Sequence, residues 1–190
     1  TDEAVQNELM FKSLKVIERR AESLQTKLLD EKIVPGDDQA TITVVLDDPG
    51  AAQILTEDLT APFTMQIMKQ VDDTTIEGVR TVEGHGSFAP TGINESHMLW
   101  AEAATDSQGK GAVRLTFTEE GLALMDALFK ENNDRTIGIF VRDRLISKLH
   151  VTAQAITDSI NISDIPSTEL AQIFADDLDV GLHVTFTPVR

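Results

Sequence analysis

Cysteine is absent from the 190 residues, which excludes disulfide cross-links, thiolate metal sites and cysteine nucleophiles. Tyrosine is absent too, tryptophan occurs once, and aromatics total 5%, too few to furnish the stacking surfaces of a sugar-cleaving site. No apolar run approaches the roughly 18 residues that read as a membrane span, and no basic leader with a hydrophobic stretch opens the chain. Positive charge is scarce, with 16 Lys and Arg against 32 Asp and Glu, a net charge of −16. Such a surplus of carboxylates repels polyphosphate backbones, so nucleic acid is not an expected partner. What is present is enough apolar material for a core: 41% of residues are hydrophobic and 25% charged, which argues against compositional disorder and fits one domain or two small ones. Starting at Thr1 without an initiator Met, the chain reads as a segment of a longer product.

Periodicity places the elements. Met10, Leu14, Ile17, Ala21, Leu24 and Leu28 recur at spacings of four and three, predicting a helix over 4–29. A loop at 33–39, a strand at 40–46 and a helix opened by Asp48 as N-cap and Pro49 in its first turn follow. Alternation through FTMQIMKQV predicts a strand. From Asp72 to Gly111 no period holds, and only HMLWAEA at 97–103 reads as ordered, so a subdomain boundary is expected there. The remainder reads as a strand (AVRLTFT), a helix over 119–131, two strands around a turn at Asp143–Arg144, a short helix at 153–158, an edge strand (SINIS), a helix from Pro166 to about Leu178, and a closing strand (HVTFTPV). Mixed strands and helices without regular alternation predict an α+β fold with mainly antiparallel sheets.

Chemistry-bearing patterns are sparse. His85, among Gly84, Gly86 and Gly92, is the best centre for proton transfer and hence for a hydrolase, but the spacing matches no phosphate loop, dinucleotide fingerprint or nucleophile elbow, and a mobile surface loop is the favoured reading. The four histidines, at 85, 97, 150 and 183, share no paired ligand spacing, and acidic pairs such as Asp47–Asp48 suit turns and caps better than cations, so no metal or cofactor is expected. Met65, Met68, Met98 and Trp100 are candidate polypeptide-binding residues, because thioethers and an indole adapt to varied apolar partners; ordinary core packing is the competing and favoured reading.

Three segments carry a family resemblance: AVRLTFTEEGLALMDAL, TIGIFVRDRLISKLHV and SINISDIPSTELAQIFADDLDVG, with Leu115, Glu120, Gly121, Ile137, Ile139, Val141, Asp143, Ile146, Ser147, Glu169 and Gly181 as the matching positions. They resemble the head subdomain in the first large extracytoplasmic domain of SecD, a membrane subunit of the bacterial Sec translocon. Upstream, VIERRAESLQ and ATITVVLDDPGAAQILTEDL resemble that domain's base, at Ile17, Arg20, Leu24, Ile42 and Val44. The chain departs from the family's pattern at the hairpin, where Asp143–Arg144 replaces the usual Asp-Gly, and at Leu149, where a proline is usual.

The resemblance implies a ferredoxin-like base over 1–80, an inserted α+β head over 81–180, and a closing strand over 181–190 that returns to the base. It implies a module outside the cytoplasm, tethered by a membrane helix or lipid preceding Thr1, that assists protein export by binding unfolded or translocating polypeptide beside the Sec membrane subunits. No enzymatic activity is expected. A freestanding exported or lipid-anchored scaffold protein of the cell envelope is the alternative, and a hydrolase centred on His85 a distant one.

Overall fold

The computed structural model describes residues 3–36, 39–151 and 158–188. Two compact units emerge: an outer unit made of 1–62 and 176–190, and an inserted unit of 63–175. The α+β class, the mainly antiparallel sheets and the insertion of one unit into the other are as the sequence leads one to expect. The units divide at 62/63 and 175/176, not at 80/81 and 180/181. The strand at 65–71 is the reason for the first shift: it pairs on both sides with strands of the inserted unit.

In the outer unit, α1 (Glu3–Ser23) stops earlier than its apolar spacing predicts. Gln25 adopts a left-handed conformation (φ 58°), and the Thr26 and Gln25 amides donate to the Ala21 and Glu22 carbonyls, closing the helix end. The chain then runs into β1 (Leu28–Val34), a strand where a helix end and loop were expected, paired antiparallel with β2 (Thr41–Leu46). Asp47 pins this hairpin by accepting from Thr26 Oγ1 at 2.6 Å and from the Lys27 amide at 2.9 Å. These bonds, that of Thr26 first, hold the Asp47 carboxyl below its usual range. Helix α2 (Pro49–Thr60) begins as predicted, with Asp48 accepting from the Gly50 amide at 2.8 Å and Pro49 in the first turn. Ile17, Ala21 and Leu55 form the unit's core, with Leu24, Ile42, Val44, Leu46, Leu59 and Phe186 packed against them.

The inserted unit holds two sheets. One has five strands in the order β4-β5-β3-β8-β9: β3 (Met65–Val71), β4 (Arg80–Val82), β5 (Gly86–Asn94), β8 (Thr136–Val141) and β9 (Arg144–His150). The other has three, in the order β10-β7-β6: β6 (Met98–Thr105), β7 (Gly111–Phe117) and β10 (Ser159–Ile165). The expected disorder of 72–111 is therefore corrected: the loop assigned to 83–92 is largely β5, with Ser87, Phe88 and Ala89 buried. Its turn-forming residues have a specific place. Pro90, Thr91 and Gly92 (φ 84°) sit at a register jump opposite Ile67 and Met68, where the ladder does not need Pro90's missing amide. The β8–β9 turn falls on Arg142 and Asp143, both left-handed (φ 46° and 65°), one residue earlier than predicted.

Helix α3 (Glu119–Glu131) starts at Thr118, whose hydroxyl accepts from the Gly121 amide, and buries Met125 and Leu128. Gly121 is required there, because a Cβ would lie 2.4 Å from the His97 carbonyl oxygen. Alanine ordinarily gains about 1 kcal/mol over glycine inside a helix, but a clash with backbone forces the helix outward. We expect Gly121→Ala to lower stability by about 1–3 kcal/mol in urea denaturation, and a gain in stability would refute the close approach.

Helix α4 (Thr168–His183) runs past the expected end at Leu178, and the boundary between the units falls inside it. The closing strand expected at 181–190 is corrected: 181–183 belong to α4, and 184–188 pair with no strand among the described residues. Ala171, Ala175 and Leu178 continue a helical spacing, and Phe186 reaches the outer unit's core without strand pairing. The helix expected at 153–158 lies outside the described residues except for Asp158, which is in a bend.

Candidate functional site

The five-stranded sheet carries its own core on one face. Phe88 of β5 and Phe140 of β8 meet edge to face, with centroids 5.4 Å apart at 71°, and Met68 of β3 lies with them, flanked by Val82 and Leu145. Gly138 makes the room: a Cβ there would come within 3.0 Å of Leu145, Phe140 and Phe88 side-chain atoms. Arg80 of β4 crosses this core, its guanidinium 5.8 Å from the Phe140 ring centre, and reaches Asp143 in the β8–β9 turn, with Nη1 2.6 Å from Oδ1. The contact is close but poorly aligned, and Nη1 makes no directed hydrogen bond, so it acts as a charge contact. The pair thus joins β4 to the turn between β8 and β9, strands that are not its neighbours in the sheet.

Three of the four candidate binding residues belong to the interior. Met65, Met68 and Met98 are 1%, 0% and 5% exposed, Met68 inside the aromatic cluster. Packing is what their thioethers do in this conformation. Trp100 is half-buried on β6, opposite Thr116, whose hydroxyl donates to the Trp100 carbonyl at 3.1 Å. Leu99 beside it is half exposed. The four do not share one surface, since Met65 and Met68 lie on the five-stranded sheet and Met98 and Trp100 on the three-stranded one.

The histidines stand on separate elements. His85 is exposed in the β4–β5 turn, where its carbonyl accepts from Gln70 Nε2 at 3.3 Å. His97 is structural, its Nδ1 accepting from the Asn94 amide at 3.1 Å. His150, on β9, lies 3.1 Å from Asp134, and His183 ends α4. Among the described residues, no group of three or more His, Asp or Glu side chains is placed to hold a metal ion.

Charged contacts that sequence reasoning missed lie within the outer unit. Lys12 of α1 is 7% exposed and donates to Asp179 of α4 at 2.6 Å, with Glu8 at 2.8 Å; Asp179 is fully buried. Arg19 lies 3.1 Å from Asp177 and 3.6 Å from Asp176, and Arg20 bonds Asp58 of α2 at 2.7 Å. The Arg20–Asp58 pair borders a groove of about 300 Å³ lined by Ser23, Leu24, Ile54 and Leu55. A second missed feature is the outer edge of the five-stranded sheet. On β9, Arg144, Ile146, Lys148 and His150 are exposed and alternate with half-buried Leu145, Ser147 and Leu149. The alternation was legible in RLISKLH, but its position at a sheet edge was not.

Comparison with solved structures bears on the whole arrangement. A structure described as that of a membrane component SecDF that enhances protein export superposes with a TM-score of 0.53 at 19% identity, over 96% of this chain and 93% of the other. The chain has the SecDF fold. SecDF in its super-membrane-facing form (TM-score 0.54, 17% identity) covers 94% of this chain, and SecDF from Thermus thermophilus, described as a translocon-associated membrane protein (0.53, 19%), covers 93%. The present chain spans 27% of each of those two longer SecDF chains. No protein-family model and no curated protein matches the sequence. At such low identity the likeness rests on backbone course over the chain as a whole.

Proposed function

We propose that the protein is a SecD-like module, acting outside the cytoplasm, that assists protein export by binding translocating polypeptide and performs no bond chemistry. The observation that carries this reading is the extent of the SecDF fold likeness, which takes in both units and 93–96% of the chain. One of those SecDF structures is described as that of a component that enhances protein export and another as that of a translocon-associated protein. Sec membrane subunits are therefore the natural neighbours, and the client is a chain in an extended state. Among the described residues no helix is long and apolar enough to cross a membrane. In this reading membrane association runs through a partner or a tether supplied outside these 190 residues.

The test is binding of a Trp-free, permanently unfolded client protein. Trp100, the single tryptophan, reports locally through its fluorescence, and anisotropy of a dye-labelled client reports binding anywhere on the surface. We expect saturable, micromolar-range binding with preference for the unfolded over the folded client. No change in anisotropy up to about 0.5 mM protein, a concentration that detects even affinities near −4 kcal/mol, would refute the reading. Constant Trp100 fluorescence during otherwise saturable binding would remove β6 from the binding surface.

A further inference from the structure

We propose that the outer edge of β9 accepts an extended acidic segment of polypeptide as an additional strand of the five-stranded sheet. This rests on the polypeptide-binding reading above and names the class of segment taken. β9 ends the strand order, has seven residues, and among the described residues is paired only by β8. An unpaired edge presents a row of amides and carbonyls that an extended chain satisfies with its own, and side chains then supply selectivity. The opposite end of the sheet is β4, only three residues long and a poorer template.

Charge identifies the occupant. In a chain of net charge −16, β9 exposes Arg144 and Lys148 on one face with no carboxylate paired to either among the described residues. The neighbouring acids are engaged elsewhere, Asp143 with Arg80 and Asp134 with His150. Arg144 and Lys148 are four residues apart, roughly 13 Å along a strand, so acidic side chains at the same spacing on an added strand meet both. A second copy is disfavoured, because edge-to-edge pairing of two β9 strands interleaves like charges.

The experiment uses the acetylated peptide amide Thr-Glu-Val-Thr-Val-Glu-Thr, the same peptide with Lys for Glu, and a version of the first N-methylated at alternate amides. Backbone amide shifts and hydrogen exchange are followed in the full 190-residue chain. The acidic peptide is expected to shift and protect β9 amides and to bind about tenfold tighter than the Lys peptide, two exposed ion pairs turning from attraction to repulsion. N-methylation abolishes the protection, and Arg144→Glu with Lys148→Glu, both on exposed positions, reverses the charge preference. Equal binding of the N-methylated peptide, no β9 shift with any peptide, or concentration-dependent β9 protection without peptide overturns the inference. If an unfolded client binds while β9 amides stay unperturbed, the general binding reading survives and this inference fails. If no client binds by any probe, the general reading fails with it.

Discussion

Lys12→Met is expected to lower the unfolding free energy by about 3–5 kcal/mol, because it leaves the fully buried Asp179 carboxylate without its cation. Pairing it with Asp179→Leu is expected to recover most of that loss, since replacing both charges by apolar groups of similar size removes the desolvation cost along with the attraction. Urea denaturation of the two variants and the parent, followed by circular dichroism, supplies the comparison. A loss below about 1 kcal/mol for Lys12→Met would mean the pair behaves like a surface contact. The pH dependence has a definite sign. Burial by itself lowers the Lys12 pKa, but hydrogen bonds to Asp179 and Glu8, and then their charges, raise it above the ordinary 10.5. A raised folded-state pKa gives stability that is complete below pH 10.5 and is lost as pH rises through the folded value. The parent should therefore show an alkaline decline that the double variant lacks.

Phe140→Ala is expected to cost about 3–5 kcal/mol, the loss of a buried aromatic plus the cavity left among Met68, Phe88 and Leu145. Asp143→Ala removes the other element linking the two sides of this sheet, yet the carboxylate is 75% exposed, so its pairing with Arg80 is worth at most about 1 kcal/mol. Packing outweighs the charge contact in magnitude. The same denaturation series ranks the two, and a larger effect from Asp143→Ala than from Phe140→Ala would reverse the assignment of what holds the sheet.

Legibility followed the range of the forces involved. Helix α2 was readable to its first residue because Asp48 and Pro49 act on the backbone beside them. β3, β7 and α3 were readable because apolar residues recur along each at the spacing of its element, Met65 and Ile67 in β3, Val113, Leu115 and Phe117 in β7, Met125 and Leu128 in α3. β1 was not, since LLDEKIV exposes most of its side chains and is held as a strand only by β2. Nor was β5, whose Pro90 and Gly92 read as turn residues until a register jump accommodates them. The candidate methionines were ambiguous for a different reason: a thioether suits an adaptable surface and an irregular core equally, and only the tertiary fold brings Met68 into one cluster with Phe88 and Phe140. The role of Lys12 left no mark in the sequence because its partner is 167 residues away.

That separation bears on the order in which the protein assembles. Residues 63–175 contain every strand of the two larger sheets and have emerged in full before Asp179 leaves the ribosome. The outer unit has its first 62 residues early but lacks Asp179 and Phe186 until the whole inserted unit has been made. Local contacts form before distant ones, so the inserted unit has all its own partners to hand while the lysine on the first helix waits, hydrated, for its acid. The piece made first is finished last.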